Sequence, residues 1–131
     1  MEQTNDSTAV KRGTVYITQE VMKRDFATGN FIPTMDFRKA LEYGSLEVCL
    51  PLGRVSLTPG PTVQILSSKL RNFCDDDYLI AVGDPSVIAM AGAIAANNNM
   101  GRFKMLKWDR DTKQYIAVSV DLWHRTRTEN N

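Results

Sequence analysis

Along residues 14–123 the apolar positions recur with two different spacings, and the spacing changes mark the elements. Thr14–Val21 (TVYITQEV) alternates, which sets Val15, Ile17 and Val21 on one face of a strand. After a turn-rich stretch holding Asp25, Thr28, Gly29 and Asn30, Phe31–Phe37 (FIPTMDF) reads as a second strand, so the two predict a long hairpin. Pro33 lacks an N–H and places that second strand at an edge or a bulge. Phe37–Tyr43 (FRKALEY) predicts a short helical turn that Gly44 ends.

From Leu46 onward strands and helices alternate. Leu46–Leu50 (LEVCL) is a short apolar strand, and the loop Pro51–Pro61 leads to a helix over Thr62–Phe73. In that helix Val63, Leu66, Leu70 and Phe73 share one face, with Gln64, Ser67, Ser68, Lys69 and Arg71 opposite. Tyr78–Val82 (YLIAV) is apolar on both faces, as a central buried strand is. Asp84 then suits an N-cap and Pro85 a first helical turn, opening a helix over Pro85–Asn97 that is apolar nearly all round. Such a helix fits the inside of one domain or part of a dimer interface. Its alanines and Gly92 let the backbone approach a sheet closely.

Arg102–Trp108 and Tyr115–Leu122 form a closing hairpin, with Ile116, Val118, Val120 and Leu122 expected inward. Its loop echoes the earlier one. Lys23-x-Asp25-x-x-Thr28-x-x-Phe31-Ile32 matches Lys107-x-Asp109-x-x-Thr112-x-x-Tyr115-Ile116, which predicts a shared turn whose Asp and Thr side chains bond the turn backbone. The sum is an α/β fold: a central, mainly parallel sheet with two flanking helices, extended by two antiparallel β-hairpins. Residues 14–123 form one domain between two polar tails, 1–13 and 124–131.

Composition narrows the chemistry. The 131 residues include 43% apolar ones, enough for a real core. Formal net charge is +1, so nucleic acid would have to be held by a local patch and not by bulk charge. One His and two Cys cannot furnish an all-cysteine zinc site or a zinc finger, and no metal or cofactor is expected. Cys49 and Cys74 stand beside apolar residues and are expected as buried free thiols of a reducing cytoplasm. No run of about 18 apolar residues predicts a membrane span, and the polar start MEQTNDSTAVKRG is no secretory signal.

Three candidate sites remain. Helix N-termini beyond the central strand present unpaired N–H groups, where Gly83, Asp84 and Ser86 would meet Arg54, Ser56 and Thr58 around a nucleotide or phosphate. This is neither a Walker loop nor a GxGxxG fingerprint. Asp109-Arg110-Asp111 resembles the DxD of TOPRIM-type magnesium folds, but the glutamate such folds place after their first strand is missing from Pro51-Leu52-Gly53-Arg54. The last hairpin carries Lys104, Lys107, Trp108, Arg110 and Tyr115, a basic and aromatic surface for a partner protein or for nucleic acid. Lys104, Leu106 and Trp108 share one strand face, opposite Phe103, Met105 and Lys107. Asp75-Asp76-Asp77 reads as a solvated loop, and His124, in the expected tail, has no orienting partner for catalysis.

The runs Asp76-Asp77-Tyr78-Leu79-Ile80-Ala81-Val82-Gly83-Asp84-Pro85 and Gly101-Arg102-Phe103-Lys104-Met105-Leu106-Lys107-Trp108-Asp109 resemble small uncharacterised proteins encoded by tailed bacteriophages. The resemblance implies a host-cytoplasm setting and an accessory or virion-linked role, and it supplies no catalytic residues. With no complete catalytic set, the expectation is a non-enzymatic module that binds a host or viral protein. Ligand binding at the helix N-termini and nucleic-acid binding by the last hairpin stay open as alternatives.

Overall fold

The computed structural model describes residues 13–33 and 35–124; the two expected tails lie outside it except for Gly13 and His124. Five strands form the main sheet: β1 (Gly13–Gln19), β4 (Gly44–Leu50), β5 (Tyr78–Ile80), β6 (Arg102–Asp109) and β7 (Gln114–Asp121). Their order is β4-β1-β5-β6-β7, with β7 alone antiparallel to its neighbour. Two short strands, β2 (Met22–Arg24) and β3 (Phe31–Pro33), pair with each other as a separate antiparallel ribbon. The α/β fold, its mainly parallel sheet and its two helices are as the periodicity predicts.

The first hairpin is corrected. Thr14–Val21 does not pair with Phe31–Phe37; β1 instead lies parallel between β4 and β5, and only the ribbon β2–β3 is a hairpin. The reason lies in Tyr16, Thr18 and Gln19, polar enough to suggest a wet face yet all buried. Thr18 Oγ1 lies within hydrogen-bond reach of the Ile80 and Val82 carbonyl oxygens, at 3.2 and 2.5 Å, and accepts from Val82 N at 2.9 Å. One hydroxyl thereby serves the backbone where β5 leaves the ladder, which lets a threonine be buried without an orphaned polar atom. At Pro33 the ribbon has no further strand, so the missing N–H costs no ladder bond.

Helices α1 (Pro59–Lys69) and α2 (Pro85–Asn98) share one face of the sheet. Between helices and sheet Tyr16, Cys49, Leu66, Leu70, Phe73, Leu79, Val87 and Ala91 make one core. α1 starts before Thr62 because Pro59 occupies its first turn. Its buried stripe is Thr62, Leu66 and Leu70, with Phe73 just beyond the end; Val63, expected inward, is 39% exposed on the flank. Asp84 caps α2, accepting from Ser86 N at 2.8 Å.

On the opposite face the 3₁₀ helix Arg38–Glu42 lies over Val15, Ile17, Ile80, Leu106 and Tyr115. The faces of β6 separate as expected, with Phe103 and Met105 toward the helices and Leu106 on the other side, but β7 does not bury its predicted stripe. Ile116 is 41% and Leu122 59% exposed, because the two helices end their cover short of this edge strand. Tyr115, on the other face, is the buried residue.

The two hairpin loops share the same Asp and Thr turn bonds. Asp25 accepts from Ala27 N at 3.2 Å and Thr28 Oγ1 at 3.0 Å; Asp109 accepts from Asp111 N at 3.1 Å and Thr112 Oγ1 at 2.7 Å. Backbone bonds Gly29 N to Asp25 O and Lys113 N to Asp109 O close both turns, with positive φ at Gly29 and Lys113. Turn chemistry thus accounts for Asp109, which a metal reading would have claimed.

Cys49 is buried, as expected, but Cys74 is exposed, since it follows the end of α1. Burial pushes the Cys49 thiol up to about 12, so it stays protonated and unreactive at neutral pH. A thiol-specific disulfide reagent is expected to label Cys74 readily and Cys49 only after denaturant unfolds the chain; rapid labelling of the folded Cys74→Ser variant, whose one thiol is Cys49, would contradict this core. Among the described residues no helix is long and apolar enough to cross a membrane, and no group of three or more His, Cys, Asp or Glu is placed to hold a metal ion.

Candidate functional site

The carboxyl ends of β1, β4 and β5 meet where the sequence suggests a ligand site, and one side chain already fills it. Gln19, at the end of β1, donates from Nε2 to Pro51 O at 3.2 Å and Gly53 O at 3.0 Å. Its Oε1 accepts from Asp84 N at 2.8 Å. Gly83, at φ +102°, presses so closely that a Cβ there would stand 2.5 Å from Gln19 Cβ. Through this one side chain the two loops are tied to the end of β1.

The other residues proposed there serve turns. The Asp84 carboxylate accepts from both Ser86 N and Ser86 Oγ, and the Ser86 hydroxyl bond is the first cause holding its pKa below the ordinary carboxylate value. Ser56 Oγ accepts from Thr58 N at 3.1 Å, and Thr58 is the N-cap position of α1 with no side-chain cap bond. Arg54 is exposed, and neither it nor Asp84 lines any of the cavities described below.

The closing hairpin separates its proposed residues by strand alternation. Lys104, Trp108 and Tyr115 lie on the 3₁₀ side, Lys107 on the helix side, and Arg110 is exposed in the turn. On the 3₁₀ side a groove forms. One part, about 330 Å³, is lined by Met35, Asp36, Lys39, Trp108 and Tyr115. A second part, about 320 Å³, shares Met35, Trp108 and Tyr115 and adds Ile80, Val82, Leu106 and Lys107 among others. The shared walls make the two parts one apolar trough with charges at its rim.

Its walls are held rigidly. Trp108 stands edge-on to Tyr115 with ring centroids 5.0 Å apart, and Lys39 Nζ lies 6.0 Å from the Trp108 ring. That ammonium also donates to Lys113 O at 2.9 Å, which ties the 3₁₀ helix to the hairpin turn. Tyr43 Oη donates to Tyr115 O at 2.8 Å, and burial raises both phenol pKa values. Asp36 is bonded by Arg38 at 2.7 Å, and those bonds lower its carboxyl to about 2, so the rim keeps its negative charge at any mild pH. Farther along the same face Lys104 Nζ sits 4.3 Å from the Tyr78 ring, itself edge-on to Tyr43.

Met35, Asp36 and Lys39 are three of the five residues lining the first part of this groove, and they were invisible to sequence reasoning. Only the short helical turn at Phe37–Tyr43 was legible, and nothing in it says which strand it covers. Another cavity, about 390 Å³ at the amino end of β6, is lined among others by Asp75 and Arg102, which pair with each other at 3.1 Å.

A protein-family model described as Phage Pam3 gp32-like protein matches residues 13–122. No curated protein and no solved structure matches the chain.

Proposed function

The chain belongs to the Phage Pam3 gp32-like protein family, and from that premise we propose that it is a phage accessory protein working as a non-enzymatic protein-binding module in the host cytoplasm. The observation that carries this reading is the trough between the 3₁₀ helix and the last hairpin, apolar at its floor and bordered by Trp108 and Lys39. Such a shape takes an aromatic or aliphatic anchor from a partner, with the rim charges fixing its orientation. Trp108 is 40% exposed while its neighbour Tyr115 is 2% exposed, so the tryptophan offers area without having to move. The occupied helix N-termini favour this reading over a bound nucleotide.

The test is capture from phage-infected and uninfected host extracts, followed by affinity measurement on whatever protein is specifically retained. Trp108→Ala and Lys39→Glu are each expected to weaken that partner by about tenfold or more, the loss typical when an interface anchor is truncated. Circular dichroism confirms that the variants remain folded. A specific partner whose affinity neither folded variant changes would overturn the assignment of the trough.

A further inference from the structure

Among the described residues β7 is the last strand of the sheet, and its own sequence lacks the devices that keep edges from pairing. Its sequence, QYIAVSVD, has no Lys, no Pro and a single charge at Asp121, and its register to β6 runs unbroken with no bulge. The other edge, β4, carries the exposed Glu47 in mid-strand. Leu122 N donates to Gly101 O, continuing the β6–β7 register. By the alternation of an antiparallel ladder, even-numbered residues of β7 therefore bond toward β6, and the N–H and C=O of Ala117 and Ser119 face outward.

We infer that two copies of the chain pair antiparallel through β7, about a twofold axis at Val118, to form one continuous sheet. A twofold axis normal to a sheet keeps each side chain on its own face, so residues that oppose each other differ by an even number. With the axis at Val118, Val118 meets Val118, and Ile116 of one copy meets Val120 of the other, all on the helix side. Ala117 then opposes Ser119, so their outward backbone groups bond reciprocally. Asp121 opposes Tyr115, whose C=O accepts from Tyr43 and keeps a second lone pair. No like charges meet.

The register one step toward the hairpin turn is poorer. An axis at Ala117 sets Val120 against Gln114 and needs Lys113, at φ +58°, to join the strand. The pairing also gives the exposed Ile116 and the partly buried Val118 and Val120 apolar partners that this copy's helices do not provide. The inference is independent of the partner-binding reading, since the trough lies on the other face of β6 and β7.

Sedimentation velocity over a wide concentration range should show a monomer–dimer equilibrium with no higher species. In a Cys74→Ser background, Val118→Cys should form a covalent dimer on mild oxidation, because the residue on the axis faces itself at close range. Ile116→Cys should link not to itself but to Val120→Cys when the two proteins are mixed. Ser119→Pro, which removes an N–H that β6 does not use, should give a folded monomer. A monomer at every concentration would overturn the inference, as would a dimer that Val118→Cys fails to link, or growth into open-ended oligomers.

Discussion

Leu66→Ala is expected to lower the unfolding free energy by about 3–5 kcal/mol, among the largest effects of any single side-chain truncation in this chain. Leu66 is fully buried in the helix-side core, packed in the same cluster as Tyr16, Cys49, Leu70 and Val87. Truncation removes its transfer free energy and leaves a cavity that sheet and helix, both fixed by backbone bonding, cannot close. Ordinary domains hold only about 5–15 kcal/mol in total, so the loss removes a large share of the stability. Val63→Ala, one turn away on the flank of the same helix, should cost well under half as much. Urea unfolding followed by far-ultraviolet circular dichroism measures both, with the slope unchanged if only the native state is altered. Equal losses for the two variants would mean that α1 packs on a different face.

That contrast marks where the sequence was legible and where it was not. Apolar spacing located both helices, the central strand β5 and the closing hairpin, because those elements carry their burial in residue type. It misread Thr14–Val21 because Tyr16, Thr18 and Gln19 look solvent-facing. The burial of Thr18 and Gln19 depends on hydrogen bonds to Val82, Pro51 and Gly53, and that of Tyr16 on packing with Phe73, all far along the chain and encoded by no local pattern. The Asp25 and Asp109 loops were legible because their bonds close within three residues. For the site, Trp108 and Tyr115 were found, being adjacent in a readable hairpin. Lys39 was missed because what makes it part of a groove is a single bond to Lys113, seventy-four positions on. Gln19 was missed for the same reason, and its three bonds take up the place where the sequence suggested a ligand.

Asp77→Ala is expected to cost about 2–4 kcal/mol, since the loss of one acceptor group strands two backbone donors at about 1–3 kcal/mol each. The run Asp75-Asp76-Asp77 reads as three equivalent solvated carboxylates, yet Asp77 is only 6% exposed. Its Oδ1 accepts from Thr14 N at 2.8 Å and its Oδ2 from Cys74 N at 2.9 Å. One carboxylate thus joins the first strand to the turn after α1, across sixty-three positions. Gly13 permits the contact, since a Cβ there would stand 1.9 Å from Asp76 O and 2.6 Å from Asp77 Oδ1. Asp77→Asn keeps one side-chain oxygen and turns the other into a donor, so it should lose about as much as Asp77→Ala or slightly less. Asp75→Ala is the control: its bonds to Asn99 and Arg102 are exposed, and a surface pair of this kind contributes at most about 1 kcal/mol. Thermal unfolding of the three variants side by side gives the ranking. Should Asp75→Ala prove as damaging as Asp77→Ala, the joint between β1 and the α1–β5 turn would have to lie in the exposed pair and not in the buried carboxylate.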